Sequence, residues 1–163
     1  MKKLLFAAAL ILGFSGMSLA QQSGTQTVNM SLSVYKGLTI TSSTNGSFGS
    51  TYAGVGSITL TPNSPTAGQS AGTFIVNGDT SHVITVTYSS ANPPSSSLTY
   101  APALYGYNAN TQGSSTSVSS NTTVTLNPTT GDYYFWVGGT VSGISNSTTP
   151  GTYTATFTLT VSY

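Results

Sequence analysis

The sequence contains no cysteine and very little charge. Its 163 residues include three Lys or Arg, two Asp or Glu and one His. Without cysteine the chain can form neither disulfides nor thiolate metal sites, so a stable fold needs a sufficient hydrophobic core. Most enzyme mechanisms rest on positioned acids, bases or metal ligands, and this chain offers few of them. We therefore expect no enzymatic activity and no cofactor.

The first 20 residues have the layout of a secretory signal peptide. Lys2 and Lys3 form a basic start, an apolar run follows, and a small-residue cleavage site ends at Ala20. The apolar run is shorter than the roughly 20 residues that a membrane span needs. We expect an exported protein, located in the periplasm, on the cell surface or outside the cell, with residues 21–163 as one mature domain.

After this segment the charged side chains are Lys36, Asp79 and Asp132, with His82 as the single histidine. The slightly acidic balance lacks the basic footprint of nucleic-acid binders, so no nucleic-acid partner is expected. Asp79, Ser81 and His82 suggest a catalytic triad, but close neighbours on one strand rarely converge on a nucleophile. Two Asp and one His are also too few for a dedicated calcium or zinc site.

Alternation of apolar and polar residues with a period of two is the dominant pattern, and turn residues such as Asn77-Gly78 separate the runs. This pattern predicts an all-β fold, a single immunoglobulin-like antiparallel β-sandwich with Greek-key connections. The apolar members of the runs are Val28, Met30, Leu32 and Val34; Leu38 and Ile40; Ile58 and Leu60; Phe74 and Val76; Ile84, Val86 and Tyr88; Val124 and Leu126; and Tyr153, Ala155, Phe157, Leu159, Val161 and Tyr163.

Three further stretches depart from simple alternation. Residues 133–137 are apolar on both faces, which is typical of a strand in a sheet that is covered on both sides. The following Gly138-Gly139 pair predicts a bulge or a tight corner. Residues 89–120 are rich in Ser, Pro, Asn and Gly, and we expect long loops there around a strand near Leu98 to Tyr100.

Aromatic residues are the best candidates for a ligand-binding surface. Tyr105 and Tyr107 flank Gly106 in a predicted loop and form a candidate glycan-contact site, while Phe135, Trp136 and Tyr100 supply further rings. Aromatic side chains in short-stranded sandwiches more often lie in the core or in cross-strand pairs. Both interpretations stay open on the sequence alone.

The first alternating run has two interpretations. Residues 21–36 form either an ordinary first strand or a donor strand, whose side chains Val28, Met30, Leu32 and Val34 enter a neighbouring subunit. Repeated head to tail, the second arrangement builds an open filament. The candidate acceptor edge is the final alternating run, with the inward residues Tyr153, Ala155, Phe157, Leu159 and Val161.

The positions of glycine and aromatic residues along the chain resemble those of a known family. Phe48-Gly49-Ser50, the stretch from Gly56 to Leu60, the stretch from Gly72 to Gly78 and the ending from Val137 to Tyr163 resemble a secreted bacterial family known as domain of unknown function 4402. That family is similar to fimbrial major subunits of the Mat or common-pilus type. The resemblance covers about Val28 to Tyr163 and implies a sandwich that assembles through an N-terminal donor strand.

The resemblance implies a structural subunit of a bacterial surface filament or coat that associates with identical subunits. A periplasmic chaperone and an outer-membrane usher are candidate partners, and no catalytic or cofactor residues carry over. The Ser/Thr-rich residues 89–120 depart from the family pattern. The alternative from another class is a monomeric, secreted carbohydrate-binding or adhesin domain that uses Tyr105 and Tyr107.

Overall fold

A computed structural model describes residues 29–93 and 96–163. The predicted signal peptide and the candidate donor residue Val28 lie outside these residues. The chain divides into two units, residues 1–33 and 34–163. In the first unit, the described residues 29–33 are exposed and belong to no strand.

The described part of residues 34–163 contains nine β-strands and one short 3₁₀-helix. Their alternating sequences explain the strands, because every second side chain points to the same face of a sheet. The elements are β1 (Thr39–Thr44), β2 (Gly56–Leu60), β3 (Gly72–Asn77), β4 (Val83–Ala91), β5 (Thr99–Tyr107), η1 (Gln112–Ser114), β6 (Thr116–Ser117), β7 (Thr122–Thr125), β8 (Asp132–Ile144) and β9 (Thr156–Ser162).

The strands form two antiparallel sheets. The larger sheet has the order β1-β3-β8-β5-β6, and β2 pairs with β8 as well. The smaller sheet has the order β7-β4-β9. These two sheets enclose a shared apolar core, which confirms the predicted all-β sandwich.

The core lies between the middle strands of the two sheets. Ile84 and Val86 of β4 are fully buried, and across from them lie Val76 of β3, Leu104 of β5 and Phe135 of β8. The residues between Ile84 and Val86 and beside them alternate to the outer face, as the sequence pattern predicts. Burial of such side chains stabilises the fold by about 1.5–3 kcal/mol each.

Strand β8 exchanges one of its neighbours in the middle, at the glycine pair. Its first half pairs with β3 and its second half with β2, while β5 runs along both halves without a register shift. The glycine pair is therefore neither a corner nor a bulge against β5. Gly139 has a φ of 130°, and a Cβ there would overlap the Ala101 carbonyl oxygen; one on Gly138 would overlap that of Leu60.

The structure differs from the predicted strands in two places. The predicted run up to Val34 forms no strand among residues 29–38, and the first strand begins only at Thr39. Residues 89–120 contain more strand than predicted, because β4 extends to Ala91 and the strand expected near Leu98 to Tyr100 is longer, β5 at Thr99–Tyr107. The alternation of apolar and polar residues is not visible in β5, because the core-facing position 106 is a glycine. Tyr133 and Phe135 leave no room for a Cβ there.

We predict that Gly139→Ala destabilises the domain by about 2–4 kcal/mol, because it combines positive-φ strain with backbone overlap. Gly151→Ala is the matched control, since nothing lies within 4 Å of its Cβ position. We expect the control to change the free energy of unfolding by less than about 0.5 kcal/mol. Urea unfolding followed by tryptophan fluorescence measures both; equal stability of the two variants contradicts the role assigned to Gly139.

Candidate functional site

Strand β9 lies at an edge of the smaller sheet. One of its sides pairs with β4, from Thr156 opposite Ala91 to Ser162 opposite Thr85. No strand in the described part of the chain pairs with its other side. The strand carries no charged side chain, although charges are a common guard of sheet edges against further pairing. Its free N–H and C=O groups are therefore open to another strand.

Inward-facing side chains beside this edge are only partly covered. Phe157 and Val161 of β9 and Phe74 of β3 pack against the core but remain half-buried. Ile40 of β1 pairs with the fully buried Val76 and so faces inward, yet it is 42% exposed. β1 is one edge of the larger sheet and β9 one edge of the smaller sheet. The ring of Phe157 on β9 lies near that of Phe74 on β3, the neighbour of β1, so the two edges border the same partly covered apolar region. We call this region the open side.

Phe157 lies in the middle of the open side. Its ring centroid is 6.0 Å from that of Phe74 in the other sheet and 5.3 Å from that of Tyr88 on β4. Both spacings are within the range of favourable aromatic pairs. An added strand at this edge would therefore meet an apolar surface that both sheets build.

The predicted acceptor residues only partly belong to β9. Phe157, Leu159 and Val161 lie in the strand and point inward, between outward-facing threonines. Tyr153 and Ala155 precede the strand, which begins at Thr156. The Tyr153 hydroxyl donates to the Thr149 carbonyl oxygen (2.5 Å), so this part of the predicted edge is a turn that closes on itself.

Of the predicted donor residues, Met30, Leu32 and Val34 are described and all are exposed, by 94, 88 and 83%. Val28 lies outside the described residues. Three apolar side chains at every second position without a covering partner are unusual, because exposed apolar groups are normally scattered singly. The described segment therefore has the alternating apolar sequence of a β-strand but pairs with no sheet.

The charged side chains of the described residues gather at one end of the sandwich. Lys36 Nζ donates to Asn77 Oδ1, and Asn77 Nδ2 donates to Asp132 Oδ1 (2.6 Å). The Lys36 amide donates to Asp79 Oδ2 (3.1 Å). The sequence contained no sign of this cluster, because its members are up to 96 positions apart in the chain, from Lys36 to Asp132.

This arrangement does not support a triad at Asp79, Ser81 and His82. The Asp79 carboxylate binds the Lys36 amide, and His82 Nδ1 lies 3.3 Å from the Thr80 carbonyl oxygen. Ser81 has a φ of 60°, the left-handed conformation of a turn residue. The three side chains thus serve a turn and do not converge.

The candidate glycan-contact residues Tyr105 and Tyr107 lie in strand β5, not in a loop. They face away from the core, because the neighbouring Leu104 and Gly106 are the buried positions. Tyr105 pairs with Trp136 and Tyr107 with Tyr134 across the β5–β8 ladder. The predicted loop is therefore wrong, although Tyr107 is exposed, and the cross-strand pairing that the sequence left open is present.

A shallow cleft of about 230 Å³ lies on this outer face, beside the aromatic pairs. Tyr134 and Trp136 form one wall, with their ring planes 24° apart. Thr73, Thr44 and Asn110 supply hydroxyl and amide groups to the same cleft. The described lining carries no charged side chain, so it offers aromatic, hydroxyl and amide contacts and no ion pair.

Within residues 29–93 and 96–163, no group of three or more His, Asp or Glu side chains is arranged to hold a metal ion. Over the same residues, no helix has the length and hydropathy required to cross a membrane.

Comparison with known proteins adds no assignment. Neither a protein-family model nor a curated protein matches this chain. The resemblance to the secreted family and to fimbrial subunits accordingly stays a prediction from the residues.

Tyr100 is the most strongly perturbed acid among the described residues. Burial raises its pKa to about 12, and its hydroxyl donates to the Gly138 carbonyl oxygen (2.7 Å). Burial also raises the pKa of Tyr133 in the core. Both rings are thus held in the neutral form.

We predict that the free energy of unfolding falls as the pH rises from about 10 to about 12. The unfolded chain ionises its tyrosines near pH 10, whereas the folded Tyr100 keeps its proton until about pH 12, so ionisation favours unfolding in this window. Tyr100→Phe should make the fall shallower and cost about 1 kcal/mol at neutral pH through the lost hydrogen bond. Urea midpoints across this pH range measure both effects. An unchanged slope in Tyr100→Phe, relative to Tyr52→Phe at an exposed site, contradicts the prediction.

Proposed function

We propose that the protein is an exported, non-catalytic structural subunit of a bacterial surface filament or coat. The N-terminal segment of one copy inserts into the open side of the next and pairs with the free edge of β9. Met30, Leu32 and Val34, together with Val28, are the inserted side chains. The contact joins two different surfaces, so repetition gives an open filament and not a closed pair.

One observation carries this proposal: an exposed apolar strand sequence and an uncovered apolar groove occur in the same chain. The run from Val28 to Val34 matches the 7-residue length of β9. Its alternate side chains would point toward Phe157, Val161 and Ile40, and its polar residues toward solvent. Main-chain hydrogen bonds would give affinity, and the apolar side chains would set the register.

We expect the inserted segment to bind its neighbour strongly. Burying each large apolar side chain contributes about 1.5–3 kcal/mol, before the entropy of ordering the segment is subtracted. A subunit with an empty open side exposes the same apolar surface and is prone to aggregate. This liability gives a physical reason for the proposed periplasmic chaperone, which would cover the open side until an outer-membrane usher brings the next subunit.

The first test compares residues 21–163 with residues 35–163 by electron microscopy and unheated denaturing gels. We expect filaments or heat-sensitive ladders only from the longer chain. A synthetic peptide of residues 25–36 should raise the melting temperature of the shorter chain, because it binds only the folded state. If both chains are folded monomers and the peptide has no effect, the filament function is excluded.

A sharper test compares two single substitutions, one at an inserted side chain and one at the residue next to it. Leu32→Asp should weaken assembly at least about 100-fold, because it removes an apolar contact and buries an unpaired charge. Ser31→Asp is the matched control, since its side chain would point to solvent in the inserted strand. Both positions are exposed in the subunit, so circular dichroism should remain unchanged. Equal loss of assembly in both variants contradicts the proposal that alternate side chains of the segment are inserted while the others face solvent.

A second candidate function is binding of a neutral glycan on the outer face of the larger sheet. The observation that favours it is the uncharged cleft beside the pairs of Tyr107 with Tyr134 and Tyr105 with Trp136. Sugar rings offer C–H faces to aromatic rings and hydroxyls to Thr and Asn side chains. A glycan array tests it, with Tyr134→Ala expected to abolish binding and Tyr52→Ala to preserve it. Absence of any glycan signal from the wild-type chain excludes this function.

A further inference from the structure

One hydroxyl group joins three distant parts of the chain at the start of the sandwich. The Tyr163 hydroxyl donates to the Lys36 carbonyl oxygen (2.6 Å) and accepts from the Asp79 amide (2.9 Å). The Asp79 carboxylate in turn accepts from the Lys36 amide (3.1 Å). Both main-chain polar groups of Lys36 are therefore bonded, although Lys36 belongs to no strand. We call Lys36, Asp79 and Tyr163 the root clasp.

Side-chain contacts reinforce the root clasp. The Tyr35 ring meets the His82 ring edge to face, with centroids 4.5 Å apart, and lies 6.1 Å from the ring of Tyr163. The Lys36 ammonium group donates to Asn77. Tyr35 is thus held by ring packing, and the next residue, Lys36, is held by hydrogen bonds.

The partners in the clasp are themselves firmly placed. Gly78, next to Asp79, has no room for a Cβ because Leu38, Leu126 and Tyr163 crowd it. The Gly78 amide donates to the Gly131 carbonyl oxygen (3.0 Å), which ties this turn to the start of β8. Tyr163 directly follows the β9–β4 ladder. Through these partners, the hydrogen bonds of Lys36 connect it firmly to the strands of the sandwich.

The clasp also marks a sharp change along the chain. Val34, two residues before Lys36, is 83% exposed, whereas Leu38, two residues after it, packs against the core. The root clasp is therefore the first fixed point that follows the exposed apolar run.

We propose that the root clasp makes the joint between consecutive subunits stiff. The inference rests on the proposed function, because the joint exists only where the N-terminal segment is inserted into a neighbour. Val34 is the last inserted side chain and Lys36 the first clasped residue, so Tyr35 alone separates the two subunits. If the clasp is broken, Lys36 loses its main-chain hydrogen bonds, and the chain between Val34 and Leu38, which packs against the core, can rotate more freely. The filament then bends more easily.

Tyr163→Phe tests the clasp, because it removes the hydroxyl and keeps the ring. The hydroxyl bonds the Lys36 carbonyl oxygen and the Asp79 amide, so its loss should loosen both residues and with them the bond from the Lys36 amide to the Asp79 carboxylate. We expect the exchange rate of the Lys36 amide to rise about tenfold, while core amides such as that of Val76 keep their rates. Tyr153→Phe is the matched control, since it removes a hydroxyl that bonds only the nearby Thr149. A Lys36 exchange rate equal to that of the wild type overturns the clasp, whether or not filaments form.

Electron microscopy of filaments from residues 21–163 tests the stiff joint. We expect the persistence length to fall at least about twofold in Tyr163→Phe and in Asp79→Ala, with normal length in Tyr153→Phe. Faster Lys36 exchange with unchanged bending overturns the mechanical role and leaves the filament function intact. Failure of the wild type to assemble refutes the proposed function and the joint that depends on it, while Lys36 exchange still decides whether the clasp exists.

Discussion

Strand β8 is the element on which the larger sheet depends. It pairs with β3 in its first half, with β2 in its second half and with β5 along both. Three neighbours can approach one strand only if its middle has no side chain, and Gly138 and Gly139 supply this condition. Phe135 of the same strand is fully buried between the sheets. Because the chain has no cysteine, its stability depends on buried apolar side chains such as Phe135 and not on disulfides.

The same architecture leaves the apolar interior partly uncovered along the open side. The edges β1 and β9 each have one paired side, and the inward residues Ile40, Phe157 and Val161 stay partly exposed. Most sandwiches protect such edges with charges or bulges. Here the outward face of β9 carries threonines, which hydrate the surface without repelling another strand. Scarcity of charge therefore fits a protein whose sheet edge takes part in assembly.

The charged side chains of the described residues also have a common location. Lys36, Asp79 and Asp132 all lie where the exposed N-terminal run enters the sandwich, and Asn77 bridges two of them. Each is bonded to main-chain or amide groups, which orient a side chain more narrowly than a solvated charge does. The chain thus concentrates its strongest polar contacts at one short connection, and the remaining surface depends on hydroxyl and amide groups.

The sequence alone determined the fold class and most strands, because alternation follows directly from the pleat: Ile84 and Val86, or Phe157 and Leu159, had to share a face. It located only the start of β5, because Gly106 occupies a core position near the end of that strand and hides the period. Only the tertiary structure decided which edges stay free, since strand order depends on pairing between distant segments. Likewise, Tyr163 meets Lys36 across 127 positions, a contact that no local pattern encodes.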